Sequence, residues 1–215
     1  GCMQAAGGLD LMVRQAERLL RKHPSRITLL SPLVTYLFTF VAGTGHVAYS
    51  VLPVIAEVAR ETKIRPERPL SIAVIASQQA ITASPISAAV VALLSLLAGY
   101  QISLLDILII CIPSTLVGVL LGALYSLKVG KELEADPEYL HRLEAGEFQT
   151  STVTAQTSGS SWKAAVSVAI FILATILIVL FGSVDSMRKC GDTVLNMPVV
   201  IEILMLSAAA LILLI

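Results

Sequence analysis

Two short stretches of this chain interrupt what would otherwise be long apolar helices. One is Gly43-Thr44-Gly45-His46, the other Thr82-Ala83-Ser84-Pro85-Ile86-Ser87. Two glycines in four residues weaken a helix. Pro85 removes a backbone donor and disfavours helix at Ser84. Where a helix stops and restarts, its new N-terminus carries free N–H groups and about half a positive charge. That end suits an anion. Thr44, Thr82, Ser84 and Ser87 add hydroxyls and His46 adds a titratable ring, while no Lys or Arg lies in either stretch. The chemistry indicated is the holding of an anion by helix ends and hydroxyls. The candidate binding residues are Gly43, Thr44, Gly45, His46, Thr82, Ser84, Pro85 and Ser87. The competing reading makes both breaks packing kinks whose backbone groups are satisfied by neighbouring helices.

His46 is the only ionisable residue deep inside an apolar stretch, and such residues are functional by default. Substrate contact, a proton relay and a hydrogen-bonded structural role all fit it. Gln78 and Gln79 lie one turn before the second break. One is expected to line the cavity and the other to bond a neighbouring helix. Glu57, Asp106 and Glu202 fall near the ends of apolar stretches and read as interfacial. Gly43 through Ala48 also fits a loose GxGxxA nucleotide fingerprint, but that pattern has meaning only between a strand and a helix. There is no HExxH and no GxSxG. Cys2, Cys111 and Cys190 are odd in number and far apart, which gives neither a disulfide framework nor metal spacing. No catalytic residue, metal ligand or cofactor is indicated, so the chain does not read as an enzyme.

The elements that must position the two breaks follow from composition. Of 215 residues 56% are hydrophobic and 14% charged, with a mean hydropathy of +0.84. Ordinary soluble domains carry about 25% charged residues. Five stretches are nearly free of charge: 27–59, 70–99, 104–127, 164–182 and 199–215. They make up more than half of the chain and reach or approach the length of a membrane span. The sequence predicts an all-α polytopic membrane protein. It excludes a soluble enzyme and a secreted disulfide scaffold. Fifteen basic residues against fifteen acidic ones give no net charge and no reason for a nucleic-acid partner.

Residues 27–59 are too long for one straight span, since 33 helical residues measure about 50 Å. One overlong kinked span, two full spans, or a re-entrant hairpin of two half-helices are the options. Two full spans need about 40 residues. Charge favours the hairpin. Arg14, Arg18, Arg21, Lys22 and Arg26 precede the segment, and Arg60, Lys63, Arg65 and Arg68 follow it. A hairpin keeps all of them on one side, which the positive-inside rule makes cytoplasmic. Residues 70–99 read as a span broken near the bilayer centre, with Ser84 capping a new helix that has Pro85 at its first position.

The other elements follow in order. Residues 8–23 are an amphipathic helix expected to lie in the interface, with its basic side toward lipid headgroups. Residues 104–127 are a clean span, and Gly118 and Gly122 are either a face for close helix packing or incidental. Residues 128–163 are a polar cytoplasmic loop, with a short helix from Asp136-Pro137 to Gly146 and a flexible linker over 149–161. Residues 164–182 go out again, past an outer loop with Arg188 and Lys189, and 199–215 start a span that stops at Ile215. The chain has no initiator Met or signal peptide and reads as an internal piece of a longer polytopic protein.

Several ordered blocks resemble a known family. They are Gly7-Gly8-Leu9-Asp10, Gly43-Thr44-Gly45-His46 leading to Leu52-Pro53-Val54-Ile55, and Arg65-Pro66-Glu67-Arg68-Pro69. Ala83-Ser84-Pro85-Ile86-Ser87 with Ala89-Val90-Val91, and Ile112-Pro113-Ser114-Thr115-Leu116, complete the set. Together they resemble the anaerobic C4-dicarboxylate transporter family of the Dcu type, from about Met3 to Ile215. The Gly-Thr-Gly-His block and the Arg-Pro-Glu-Arg-Pro loop look most like its fumarate–succinate antiporter branch. The resemblance implies a secondary carrier of the bacterial inner membrane that exchanges fumarate, malate or aspartate for succinate under anaerobic conditions. It also implies an inverted-repeat architecture in which each half supplies a re-entrant hairpin and a discontinuous helix. The partners implied are C4-dicarboxylates, the lipid bilayer and the second half of the same transporter; a homo-oligomer stays open. An intramembrane enzyme using His46 and a non-transporting membrane fragment are the alternatives.

Overall fold

The computed structural model describes residues 2–100, 102–130, 132–133, 136–145, 161–183, 189–190 and 193–214. The linker expected over 149–161, the end of the short loop helix at Gly146, and Arg188 lie outside them or at their margin. The helices are α1 (Cys2–Ala5), α2 (Gly8–Lys22), α3 (Ile27–Ala42), α4 (His46–Glu61), α5 (Glu67–Ala83) and α6 (Ala88–Leu96). They continue with α7 (Leu104–Ser126), α8 (Pro137–Glu144), α9 (Ser161–Ser183) and α10 (Met197–Leu213). The one pairing of extended backbone described is a two-residue antiparallel ladder, Lys189 opposite Val194 and Cys190 opposite Thr193. The architecture is therefore all-helical. Among the described residues four stretches are long and apolar enough to cross a membrane: Pro24–Ala42, Glu67–Leu96, Leu104–Ser126 and Trp162–Ser183. Met197–Leu213 is apolar but shorter.

Three hydroxyls on α3, spaced by four residues, set its register on α5. Ser31 donates to the Pro69 carbonyl at 3.1 Å, Thr35 to the Ala73 carbonyl at 2.8 Å, and Thr39 shares a 2.8 Å bond with Ser77. Each pair is 38 residues apart, so α3 and α5 run side by side in the same direction. A spacing of four keeps the three donors on one helix face. All three hydroxyl residues on α3 are buried. Buried hydroxyls at such contacts satisfy themselves by bonding across to the neighbouring helix.

Because α3 and α5 are parallel, the chain between them has to come back. Helix α4 does this. Val34 of α3 and Val51, Val54, Ile55 and Val58 of α4 share one apolar cluster with Ile27. At its far end α4 is tied to α2, where Arg21 meets Glu61 at 2.6 Å and Glu57 at 3.6 Å. Val13, Ala16 and Leu20 of α2 are buried in that same cluster. The apolar stripe of α2 is thus packed onto protein, along α4.

Helix α7 is antiparallel to α5. A methyl group built on Gly122 would lie 2.8 Å from Ile72 Cδ1, so the two helices approach closely there. Of the two glycines singled out, Gly122 serves this internal contact, while Gly118 meets nothing within 4 Å. Tyr36 ties α3 to the same helix through a 2.8 Å bond between its hydroxyl and that of Thr115. Ser103 and Asp106 start α7 with a reciprocal capping box: the Asp106 N–H reaches the Ser103 hydroxyl at 3.2 Å and the Ser103 N–H reaches the Asp106 carboxylate at 2.9 Å. At its other end Arg68 locks the chain after α7 onto α5. This buried side chain donates to the Val129 carbonyl at 2.6 Å, the Gly130 carbonyl at 2.9 Å and Glu132 at 2.9 Å. The base of the hairpin, the start of α5 and the end of α7 therefore share one level.

Candidate functional site

Helix α7 has 23 residues and measures about 34 Å, enough to cross a hydrocarbon core of about 30 Å. It serves as a ruler for the two breaks. Counting from the Ile72–Gly122 contact at equal rise, Ala83 comes level with about Cys111. Tyr36, Ala80 and Ala83 cluster with Cys111 and Ile112, which agrees with this level. That level is roughly 10 Å from the N-terminal end of α7. Beyond the break the chain goes on toward that end, since Val90 and Leu94 of α6 pack with Leu104, Ile107 and Leu108.

The first break lies against the second at this level. Gly43 ends α3 in a left-handed conformation, φ 67°, and its N–H donates to the Thr39 carbonyl at 2.8 Å. A glycine after the last helical turn is the residue that adopts this geometry without strain. A methyl group built on Gly43 would fall 2.7 Å from Ile86 Cγ1 and 3.1 Å from the Ile86 carbonyl oxygen. The turn of the hairpin thus sits directly on the backbone of the broken helix. Ser84 adds a second tie, its buried hydroxyl donating to the Phe40 carbonyl at 2.6 Å. Phe40 is in the last turn of α3, whose carbonyls have no partners within their own helix. The second break therefore caps the first helix.

This arrangement corrects the expected cap of the second helix. Ser84 is extended, as a residue before proline should be, but the helix does not start at Pro85. It starts at Ala88, and Ser87 is its cap, with the Ser87 hydroxyl accepting from the Val90 N–H at 3.2 Å. The physical reason is that Ser84 is already committed to the orphan carbonyl of α3. Three residues of open backbone are then needed to carry Ile86 past Gly43.

Burial sorts the eight candidates. Ser84, Pro85 and Ser87 are buried, Gly43 and Gly45 half-buried, and Thr44, His46 and Thr82 exposed. Thr82 belongs to the last turn of α5 and donates its hydroxyl back to the Gln79 carbonyl at 2.8 Å. His46 is the first residue of α4, beyond Gly45, which offers no side-chain cap. The N–H of His46 makes only a long 3.5 Å contact with the Thr44 hydroxyl, and its ring lies tilted at 6.0 Å from that of Tyr49. The Ala48 N–H bonds the Gly45 carbonyl at 3.1 Å, so the start of α4 is held by one turn bond and one long side-chain contact, with no strong cap.

A cavity of about 430 Å³ opens at this end of the hairpin. Thr44, His46 and Ser50 supply its polar side there, and Leu9, Val47, Phe171 and Met205 supply apolar walls from α2, α4, α9 and α10. The cavity takes in Thr44 and His46 but not Thr82, Ser84 or Ser87, which stand behind it and shape the backbone. Ser50 and Phe171 are additional lining residues. Ser50 lies one turn after His46, a spacing legible in the sequence, whereas Phe171 comes from a distant helix with no polar signal. Among the described residues no group of three or more His, Cys, Asp or Glu side chains is placed to hold a metal ion.

Charge is kept at the base of the hairpin. Two carboxylates hold the Arg21 guanidinium protonated well above the ordinary range, first through the bond to Glu61 and then through that to Glu17. Arg65 reaches Asp136 at 2.8 Å and draws that carboxyl below its ordinary 3.8.

A family model described as an anaerobic C4-dicarboxylate membrane transporter matches residues 1–215. The C4-dicarboxylate transporter DcuA of Escherichia coli strain K12 is 44% identical over 214 residues, which cover 97% of this chain and 48% of the relative. DcuA of Wolinella succinogenes is 45% identical over 184 residues, 86% of this chain and 42% of the relative. The anaerobic C4-dicarboxylate transporter DcuB of Escherichia coli O6:H1 is 39% identical over 223 residues, 98% of this chain and 49% of the relative. The chain thus spans about half the length of the curated relatives it matches. No solved structure matches it. With its four apolar helices and these bacterial relatives, the chain is a multi-pass protein of the inner membrane.

Proposed function

From the chain's membership of the anaerobic C4-dicarboxylate membrane transporter family, we propose that it carries C4-dicarboxylates across the membrane and that the paired breaks form half of the substrate site. The observation that carries the proposal is the contact of Gly43 with Ile86, which joins the two interruptions at one point, at a level within the length of the apolar helix α7. Non-helical backbone at that depth is tolerated only where it is buried in protein or lines a wet cavity, and secondary transporters build their sites from such elements. The weakly capped start of α4 borders the cavity, with Thr44, His46 and Val47 in its lining. In this reading one carboxylate of fumarate, malate, aspartate or succinate is held here.

Residues 27–59 act as a re-entrant hairpin. Their turn meets α5–α6 at its break, and the spanning element continues past that point through the nine residues of α6. The base of the hairpin, with Arg21, Arg60, Arg65 and Arg68, faces the cytoplasm by the positive-inside rule. A second copy of this architecture, inverted, supplies the other half of the site.

Transport runs as exchange of one dicarboxylate for another. A dianion swapped for a dianion moves no net charge, whereas moving one alone works against about 2.3 kcal/mol per charge per 100 mV. Proteoliposomes made with the protein that carries this chain and loaded with succinate test the proposal. External fumarate should drive efflux of labelled succinate, and efflux independent of any external dicarboxylate refutes the exchange mode. No dicarboxylate movement in either direction refutes the function.

A further inference from the structure

The turn of the hairpin has a polar neighbour that belongs to neither break. A methyl group built on Gly45 would come within 3.2 Å of the Gln78 amide nitrogen, 3.4 Å of Ile81 Cδ1 and 3.5 Å of the Ser77 hydroxyl. Gly45 has an ordinary right-handed conformation, φ −69°. Its value at this position is therefore the close approach of Gln78, not backbone freedom. Ser77 is fixed by its bond to Thr39, so the helix turn that carries Gln78 is fixed as well.

Gln78 is exposed and has no hydrogen bond to another described residue. It lies inside the candidate span Glu67–Leu96. An amide left against hydrocarbon is costly, so the Gln78 position favours a polar neighbour, although Val74 and Ile75 one turn earlier expose apolar surface on the same face. Thr82, one turn on and on the same face, is exposed too. Gln79 has no such approach to the hairpin turn; its carbonyl accepts from Thr82 and serves the helix itself.

We propose that the Gln78 side chain contacts the transported dicarboxylate and sets its specificity, across the hairpin turn from the start of α4. The inference rests on the transport reading above. An amide has two donors and one acceptor. Its N–H groups suit a carboxylate, and its carbonyl suits the hydroxyl or ammonium of a substituted dicarboxylate. One residue thus accommodates both plain and substituted substrates. A leucine retains the volume and loses both functions. A glutamate retains the shape and sets a like charge against a dianion.

The test is initial-rate exchange in proteoliposomes of the protein that carries this chain, for parent, Gln78→Leu and Gln78→Glu, with fumarate, succinate and aspartate as probes. Equal elution from a sizing column checks folding. Gln78→Leu should raise KM about tenfold with maximal rate within twofold, and should raise it more for aspartate than for fumarate. Gln78→Glu should raise KM for dianions further. Where either variant fails to fold, Gly45→Ala is the substitute: it needs no unusual backbone angle, presses on the Gln78 amide, and should raise KM severalfold. Parental KM values in the folded variants overturn the inference and leave the transport reading standing. Absence of exchange by the parent overturns both.

Discussion

The contact between the two breaks makes opposite demands on two glycines only two residues apart. Gly43→Ala meets two obstacles. Its φ of 67° costs an L-residue about 1–2 kcal/mol. Its new methyl group would stand 2.7 Å from Ile86 Cγ1, 3.1 Å from the Ile86 carbonyl oxygen and 3.2 Å from the carbonyl carbon. The side chain can swing away, but the backbone cannot without pulling Ser84 from Phe40. Overpacking of this kind costs about 1–3 kcal/mol. The two together give about 2–5 kcal/mol. At roughly 2–4 °C per kcal/mol for a chain of this size, the thermal midpoint falls by about 4–20 °C. Gly45→Ala carries no backbone penalty, and its nearest neighbours are side-chain ends at 3.2–3.5 Å, so its midpoint should stay within about 2 °C of the parent. Ile86→Ala removes Cγ1 and should relieve part of the loss in Gly43→Ala, although the carbonyl contact persists. Detergent-solubilised protein, heated and read by the fraction remaining in the monodisperse sizing peak, supplies the midpoints. If Gly43→Ala is as stable as the parent, or less harmful than Gly45→Ala, the juxtaposition of the breaks is refuted.

Three further outcomes follow from particular bonds. Thr35→Val keeps shape but loses the 2.8 Å donation to Ala73, so it should lower stability by about 0.6–1.7 kcal/mol in the same thermal assay, the range for hydroxyl bonds between membrane helices. Arg68→Lys keeps the charge but not the fork that serves Val129, Gly130 and Glu132 together. It should cost about 1–3 kcal/mol and leave the segment after α7 open to limited proteolysis; a parental digestion pattern would argue against the latch. Asp136 titrates below its ordinary 3.8 because Arg65 bonds its charged form. A lowered acid contributes stability that is complete above the unfolded value and disappears as pH falls through the folded one. The midpoint should therefore be insensitive to this pair down to about pH 5 and lose its contribution below about pH 4, and Asp136→Asn should flatten that part of the profile.

How far the amino-acid sequence alone reveals these features depends on what kind of partner each residue has. The interruptions are legible, because glycine pairs and Ser-Pro act locally through their own backbone. The return of the chain between α3 and α5 follows from charge, since Arg21 and Arg26 on one flank and Arg60 to Arg68 on the other have to share a side. The register of α3 on α5 is not legible. Ser31 and Thr35 are visible donors, but they bond carbonyls of Pro69 and Ala73, and every residue has a carbonyl. The exchange of roles between Ser84 and Ser87 has the same origin. Both serines satisfy the local rule for a cap. The orphan carbonyl of Phe40, which claims Ser84, is brought there only by the tertiary fold.

The sorting of hydroxyls by burial also decides where positive potential can come from. Ser84 spends its proton on Phe40, Thr82 on Gln79, and Ser87 lends its oxygen to Val90. These groups support backbone and leave little for a ligand. The two helix starts then differ. Helix α6 has one of its N–H groups covered by Ser87 at 3.2 Å, whereas α4 begins after Gly45 with only the long 3.5 Å contact of the His46 N–H to Thr44 and the 3.1 Å bond of the Ala48 N–H to the Gly45 carbonyl. The macrodipole at this start is thus only weakly capped at the cavity edge. No Lys or Arg lies in either break, and at the hairpin base Arg21 and Arg68 are engaged with Glu61 and Glu132. In the proposed reading an anion at the turn is attracted chiefly by neutral dipoles. Dipoles hold charge without a fixed counter-ion, and their pull falls off within about one helix turn. That is the balance a carrier needs, because a site must release what it binds.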